Sequence, residues 1–266
     1  MAAAPHDETH AQPHRDDAVR YNDDDRRALE QHYAQRFGDY FRVIHEKVST
    51  FVHLDIYVYG ASPERPYVTL ATSGMGAANP LDDAYHPTEL VTYLSAEWDF
   101  SDPLSGALIS NLLQAARYPH EAKEIIARHH TLCVYDGRTN LADALFPGSP
   151  LTHWYFRILL HEPEGFEHLV LPSERHINLL WAYPITRHEL YFLTHSEDHL
   201  ELECLLAEKA DIAISVNREC LIRPENRAQR RARVKVQARA RRRTPRQPWM
   251  ELPCEYPPHA HHDSHG

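Results

Sequence analysis

The chain has 266 residues, 42% of them hydrophobic, and a formal net charge of −10. That length supplies a core for one large domain or two small ones. No apolar run approaches the roughly 20 residues of a membrane-spanning helix, so a helical membrane protein is excluded.

The start, MAAAPHDETHAQPHRDD, has no basic stretch followed by an apolar segment. It is not a secretory signal, and the expected location is cytoplasmic. Four scattered cysteines, Cys133, Cys204, Cys220 and Cys254, show no CxxC pairing and predict thiols rather than disulfides. Charge is unevenly spread. Of the 28 Lys and Arg, ten fall between Arg227 and Arg246, where there is no acid; elsewhere 38 acids face 18 bases, a balance of −20. An acidic body repels nucleic acid and favours basic protein partners.

Residues 1–23 are mostly Ala, Pro, His and Asp and are predicted to be disordered. A helix over 24–37 carries Leu29, Tyr33 and Phe37 on one face. FVHLDIYVY, Phe51 to Tyr59, alternates as a strand. The loop ASPERP separates it from a second strand, Tyr67 to Thr72, which runs into Gly74-Met75-Gly76. His86 to Leu94 reads as a third strand.

Ser101-Asp102-Pro103 opens a helix, with a capping side chain and Pro where a missing N–H costs nothing. Its stripe is Leu104, Leu108, Leu112, Leu113 and Ala116, and Arg117-Tyr118-Pro119 predicts its end. A helical piece, Glu121 to His129, leads to a strand over Thr131–Tyr135 turned by Asp136-Gly137. Strands His153–Leu160 and His168–Leu171 follow.

Ile177 to Tyr183 is an apolar run that predicts a buried strand closed by Pro184. Thr186 and Glu189 have the spacing of a capping box. The helix they open should carry Leu190, Tyr191 and Phe192 inward, and a second one carries Leu200, Leu202, Leu205 and Leu206. The expected fold is α+β, a mixed, largely antiparallel sheet flanked by helices. It occupies residues 24–222 as a single domain, and 223–266 form a basic, then His-rich tail.

Nothing supplies a convincing catalytic constellation. Ser73, Ser105 and Ser149 sit in no GxSxG elbow. Thr72 to Gly76 lacks the GK[ST] ending of a phosphate loop and reads as a plain turn. His129, His130 and Cys133 are close in sequence, and His195 and His199 lie four apart, but without the HExxH pattern. The terminal His259, His261, His262 and His265 read as a solvated tail. No catalytic residue, metal or cofactor is expected, and a metal-dependent hydrolase is the weakest alternative. Arg230, Arg231, Arg233, Lys235, Arg241, Arg242 and Arg243 offer a second one, a nucleic-acid-associated regulator bound through the tail by phosphate neutralisation.

Several segments, in order, resemble the suppressor of fused (SUFU) family over Tyr33 to Ile222. These are the strand and small-residue loop ending at Gly76, Glu89-Leu90, the ending Leu112-Leu113-x-x-Ala116-Arg117-Tyr118, and the strand–Pro-Ile-Thr–Glu189-Leu190 unit. The resemblance implies a non-enzymatic module that binds polypeptides. Its bacterial type implies an immunity protein that neutralises a polymorphic toxin, and the acidic body favours a basic toxin domain. It also implies partner-binding roles for Arg117 and Tyr118. The family's Asp before the next strand aligns with His129, a departure that leaves the partner unidentified.

Overall fold

Strand β8 shows why the sheet forms where it does. His176–Thr186 is apolar at nearly every position, a pattern that fits only a strand covered on both faces. The structure, a computed structural model, describes residues 18–47, 49, 51–78, 86–133, 144–195 and 199–222. The chain divides into two units, Met1–Ile222 and Arg223–Gly266, and all described residues belong to the first.

The elements are α1 (Asp23–Phe37), β1 (Tyr40–His45), β2 (Asp55–Tyr59), β3 (Tyr67–Ser73), β4 (Thr88–Ser95), α2 (Pro103–Ala122) and β5 (Thr131–Leu132). They continue with β6 (Leu151–Arg157), β7 (His168–Val170), β8, α3 (Arg187–His195) and α4 (His199–Lys209). The sheet runs β1-β2-β3-β4-β8-β6-β5, with β7 also paired to β8. Among the strands of the described residues, only β4 and β8 pair in parallel. This is the expected α+β fold with a mixed, mostly antiparallel sheet.

The two faces differ in chemistry. Ile56, Val58, Leu70, Leu90, Phe156 and Ala182 make an aliphatic face with Leu108, Leu112 and Ala116 of α2. Tyr57, Tyr59, Tyr93, Tyr155, Trp181 and Tyr183 make an aromatic face with Leu29 and Tyr33 of α1, Leu193 of α3 and Leu202 of α4. Strand alternation sends one set to each side.

Several predicted boundaries move. Pro184 does not close β8: it pairs with Trp154 within the ladder. Its carbonyl accepts from Arg218 Nη2 at 3.0 Å, so its backbone faces away from β6 and the missing N–H leaves no ladder bond unmade. Likewise α2 runs through Pro119 to Ala122 and ends at Lys123, in the left-handed conformation. No helix spans Glu121 to His129. Instead the His129 N–H donates to the Phe156 carbonyl at 2.8 Å and the Phe156 N–H to His130 at 3.0 Å, so strand-like pairing overrides local propensity.

β2 is shorter than predicted because the Val52–Leu54 stretch pairs elsewhere, with the His53 N–H donating to the Val19 carbonyl at 2.9 Å. In α3 it is Glu189 and Leu193 that are buried, while Tyr191 is exposed. β1, YFRVIH, has no counterpart among the predicted elements. The predicted turn at Asp136-Gly137 and the tail lie outside the described residues.

One polar knot fixes the middle of the sheet. The Glu89 carboxylate, fully buried on β4, accepts from Tyr21 Oη (2.8 Å), Thr72 Oγ1 (2.6 Å) and the backbone N–H groups of Gly74 and Gly76 (both 2.9 Å). Burial pushes its pKa up, and these donors hold it back. The turn that presents both N–H groups requires glycine. Gly74 has φ +115, and a Cβ there would lie 1.9 Å from the His53 carbonyl oxygen. Gly38 also has positive φ but open space around it. Gly74→Ala should therefore lower stability by more than about 3 kcal/mol and Gly38→Ala by about 1 kcal/mol, read from urea unfolding.

Two histidines, His120 buried and His32 half-buried, make stability pH-dependent. His120 and His32 use Nε2 toward the carbonyls of Met75 and Phe166, both at 2.8 Å. Burial pushes both pKa values below the ordinary imidazole value. The unfolded chain thus takes up these protons more readily. The stability the two neutral rings support is present above about pH 6.5 and is lost as pH falls below it. The urea midpoint should fall between about pH 7 and about pH 5, and less steeply in His120→Gln.

Candidate functional site

The C-terminal end of α2 and the edge strand β5 enclose an open cleft. α2 starts where Asp102 accepts from the Leu104 N–H, and Leu108, Leu112, Ala115 and Ala116 pin it to the aliphatic face. That packing fixes the direction of its last turn. Tyr118 therefore leans partly on the core while its hydroxyl donates to Glu124 Oε2, a bond that raises the phenol pKa. The cleft, of about 320 Å³, is lined by Tyr118, Glu124, Ile126, His129, Leu132 and Phe156 among others. Its lining combines the apolar Ile126, Leu132 and Phe156 with the polar Tyr118, Glu124 and His129.

His129 is held in place from below. It sits at φ +68, and its backbone bond to Phe156 anchors it beside β6. Its Nδ1 lies 2.9 Å from the Tyr155 hydroxyl. That hydroxyl donates onward to Glu203 Oε1 at 2.8 Å, so it accepts from the imidazole N–H. Glu203, on α4, also receives Arg157 Nε and Nη2 at 2.9 and 2.6 Å. Burial and the neighbouring Glu203 carboxylate push the Tyr155 pKa up, so the phenol remains a donor. The helix on the aromatic face thus sets the orientation of a ring at the cleft on the sheet edge.

Of the three residues expected at a partner site, the structure brings Tyr118 and His129 into this one cleft. Arg117 is placed differently. Its Nε lies 2.6 Å from Glu46 Oε1, an ion pair without hydrogen-bond alignment, and the Glu46 side chain is only 4% exposed. Arg230, Arg231, Arg233, Lys235, Arg241, Arg242 and Arg243 lie outside the described residues. Sequence reasoning missed Glu124 and Glu203. Glu124 lay inside the predicted helical piece Glu121–His129, of which only Glu121 and Ala122 are helical, as the end of α2, and Glu203 looked like one of several acids on a solvent face.

Residues 51–219 match the family model described as Suppressor of fused protein (SUFU). The chain belongs to the suppressor of fused family. A SUFU homologue from Neisseria gonorrhoeae FA 1090 has the same fold, with TM-score 0.57 and 14% identity, over 76% of this chain and 99% of that one. A structure of the Sufu–Fu complex gives TM-score 0.53 at 10% identity, over 74% of this chain and 92% of that one. Drosophila Suppressor of Fused gives 0.54 at 10% identity, over 82% of this chain and 55% of that one. No curated protein sequence matches.

The matched region of this SUFU chain contains the whole cleft, Glu203 and Arg117, whereas α1 and β1 precede it. Among the described residues, no helix is long and apolar enough to cross a membrane. Because Glu46 is buried, Arg117→Ala should cost about 1–3 kcal/mol by stranding a carboxylate. Restoration of most of that loss on adding Glu46→Ala, in a double-mutant cycle of urea unfolding, checks the assignment.

Proposed function

We propose that this SUFU chain is a non-enzymatic binding protein that captures a segment of another polypeptide in the cleft between α2 and β5. The observation that carries this reading is the meeting of Tyr118 and His129, far apart in mechanism of placement, around one amphipathic cleft. The slightly exposed Ile126 and Leu132 can meet apolar side chains, while Tyr118, Glu124 and His129 supply polar contacts. β5 ends the strand order among the described residues, and an edge strand offers backbone groups to an added peptide strand.

The preferred role is cytoplasmic immunity against a polymorphic toxin, in a bacterial setting. The acidic balance of the chain outside Arg227–Arg246 supports a basic target such as a nuclease domain, since opposite charge speeds encounter. A second reading rests on the ten basic residues of Arg227–Arg246, which suit nucleic acid or an acidic partner.

Affinity capture of the full chain from its native cells, with and without nuclease treatment, separates the two. The binding reading predicts one polypeptide in near-equal amount, lost at least tenfold in Tyr118→Ala and in Glu124→Ala while the melting temperature holds. Recovery of nucleic acid alone, abolished by replacing Arg241, Arg242 and Arg243, would shift the function to the tail. Equal capture by both cleft variants would remove the partner from this cleft.

A further inference from the structure

At the opposite edge of the sheet, three metal-ligating side chains converge. His45 ends β1 and is the register partner of Asp55, which begins β2. His53, two residues before Asp55, points to the same side, as alternation requires. His45 Nδ1 lies 2.8 Å and His53 Nε2 3.3 Å from Asp55 Oδ1. One ligand atom from each of the three falls within 4.8 Å of the others. We propose that His45, His53 and Asp55 bind a divalent transition-metal ion, with Zn²⁺ the best match to two imidazoles and one carboxylate.

The distances suit the ion. Bonds of about 2.0–2.2 Å in a tetrahedral site set ligand atoms roughly 3.3 Å apart. The His53–Asp55 spacing already has this value, His45 stands closer to Asp55 at 2.8 Å, and the two imidazoles lie within 4.8 Å of each other, so it is His45 that has to adjust. His45 is free to do so, because its side chain is 69% exposed. Three protein ligands leave the fourth position for water.

The surroundings also fix the tautomer. Ser49 Oγ donates to Glu46 Oε2 at 3.0 Å, so toward His53 Nδ1, at 2.9 Å, it acts as acceptor of the ring N–H. The proton is thereby held on Nδ1 and the lone pair of Nε2 faces Asp55. A metal-binding histidine needs this outer partner on its other nitrogen. Glu46 in turn faces Arg117, so the support reaches α2. Bound metal ties the edge strand β1 to β2 at the end where their ladder stops.

The test is Zn²⁺ titration of the full chain by calorimetry, with Co²⁺ absorption as a second readout. The expected result is one strong site with the visible spectrum of four-coordinate Co²⁺. His45→Asn and Asp55→Asn each abolish it, and Ser49→Ala weakens it about 10- to 100-fold. His45 is exposed, so His45→Asn keeps the fold and remains decisive should Asp55→Asn unfold. A full chain with His259, His261, His262 and His265 changed to Asn retains the site, and its melting temperature still rises with Zn²⁺. Unchanged strong binding in His45→Asn, or loss of all strong binding in the tail variant, would overturn the proposal.

Discussion

Buried carboxylates hold this fold together, and each one ties together segments that are distant in sequence. Glu89 joins β4 to the Gly74–Gly76 turn and to Tyr21 before α1. Glu162, with no exposed side-chain area, receives Arg65 Nη1 at 2.8 Å, Tyr93 Oη at 2.7 Å and Arg36 of α1. Glu189 receives both terminal nitrogens of Arg218, at 2.6 and 2.7 Å, together with the N–H groups of Thr186 and Leu221. A buried carboxylate is costly unless nearly every lone pair is used. Here that condition sets geometry: a segment that slipped by one residue would strand a charge.

A partly buried carboxylate shapes the cleft in a similar way. Glu203 is the point where α4 meets β6, and the chain Glu203–Tyr155–His129 carries its position to the sheet edge. Helix α2 brings Tyr118 to the other wall, held by its apolar stripe and by the polar ties of Arg117 and His120 in its last turns. Two supports from separate parts of the chain, Glu203 on α4 and the packed end of α2, therefore frame one groove. A rigid frame around an adaptable rim lowers the entropic cost of capturing a partner segment.

Much of this was legible in the sequence. The apolar run of β8, the stripe of α1 and the start of α2 follow from periodicity and capping. The Thr186–Glu189 box appears with both reciprocal bonds, at 2.8 and 3.2 Å. What periodicity could not supply was the contribution of tertiary pairing. Pro184 and Pro119 look like terminators, yet each sits where its missing N–H is harmless or its neighbours are packed. The stretch up to His129 looks helical, yet the backbones of His129 and His130 pair with Phe156 of β6. Tyr118 and His129 were visible as candidates through family resemblance, whereas Arg117 is engaged with a glutamate that no local pattern linked to it. The His53-x-Asp55 alternation was readable on a predicted strand; its cross-strand partner His45 was not.

The central claim is that a partner polypeptide lies along the rim formed by the end of α2, His129 and β5. Hydrogen–deuterium exchange of the full chain, alone and with its captured partner, tests it most directly. The account predicts slowed exchange concentrated at residues 118–132 and along β6, with β1 and β2 unchanged. Protection confined to β1 and β2, or to residues beyond 222, would contradict it.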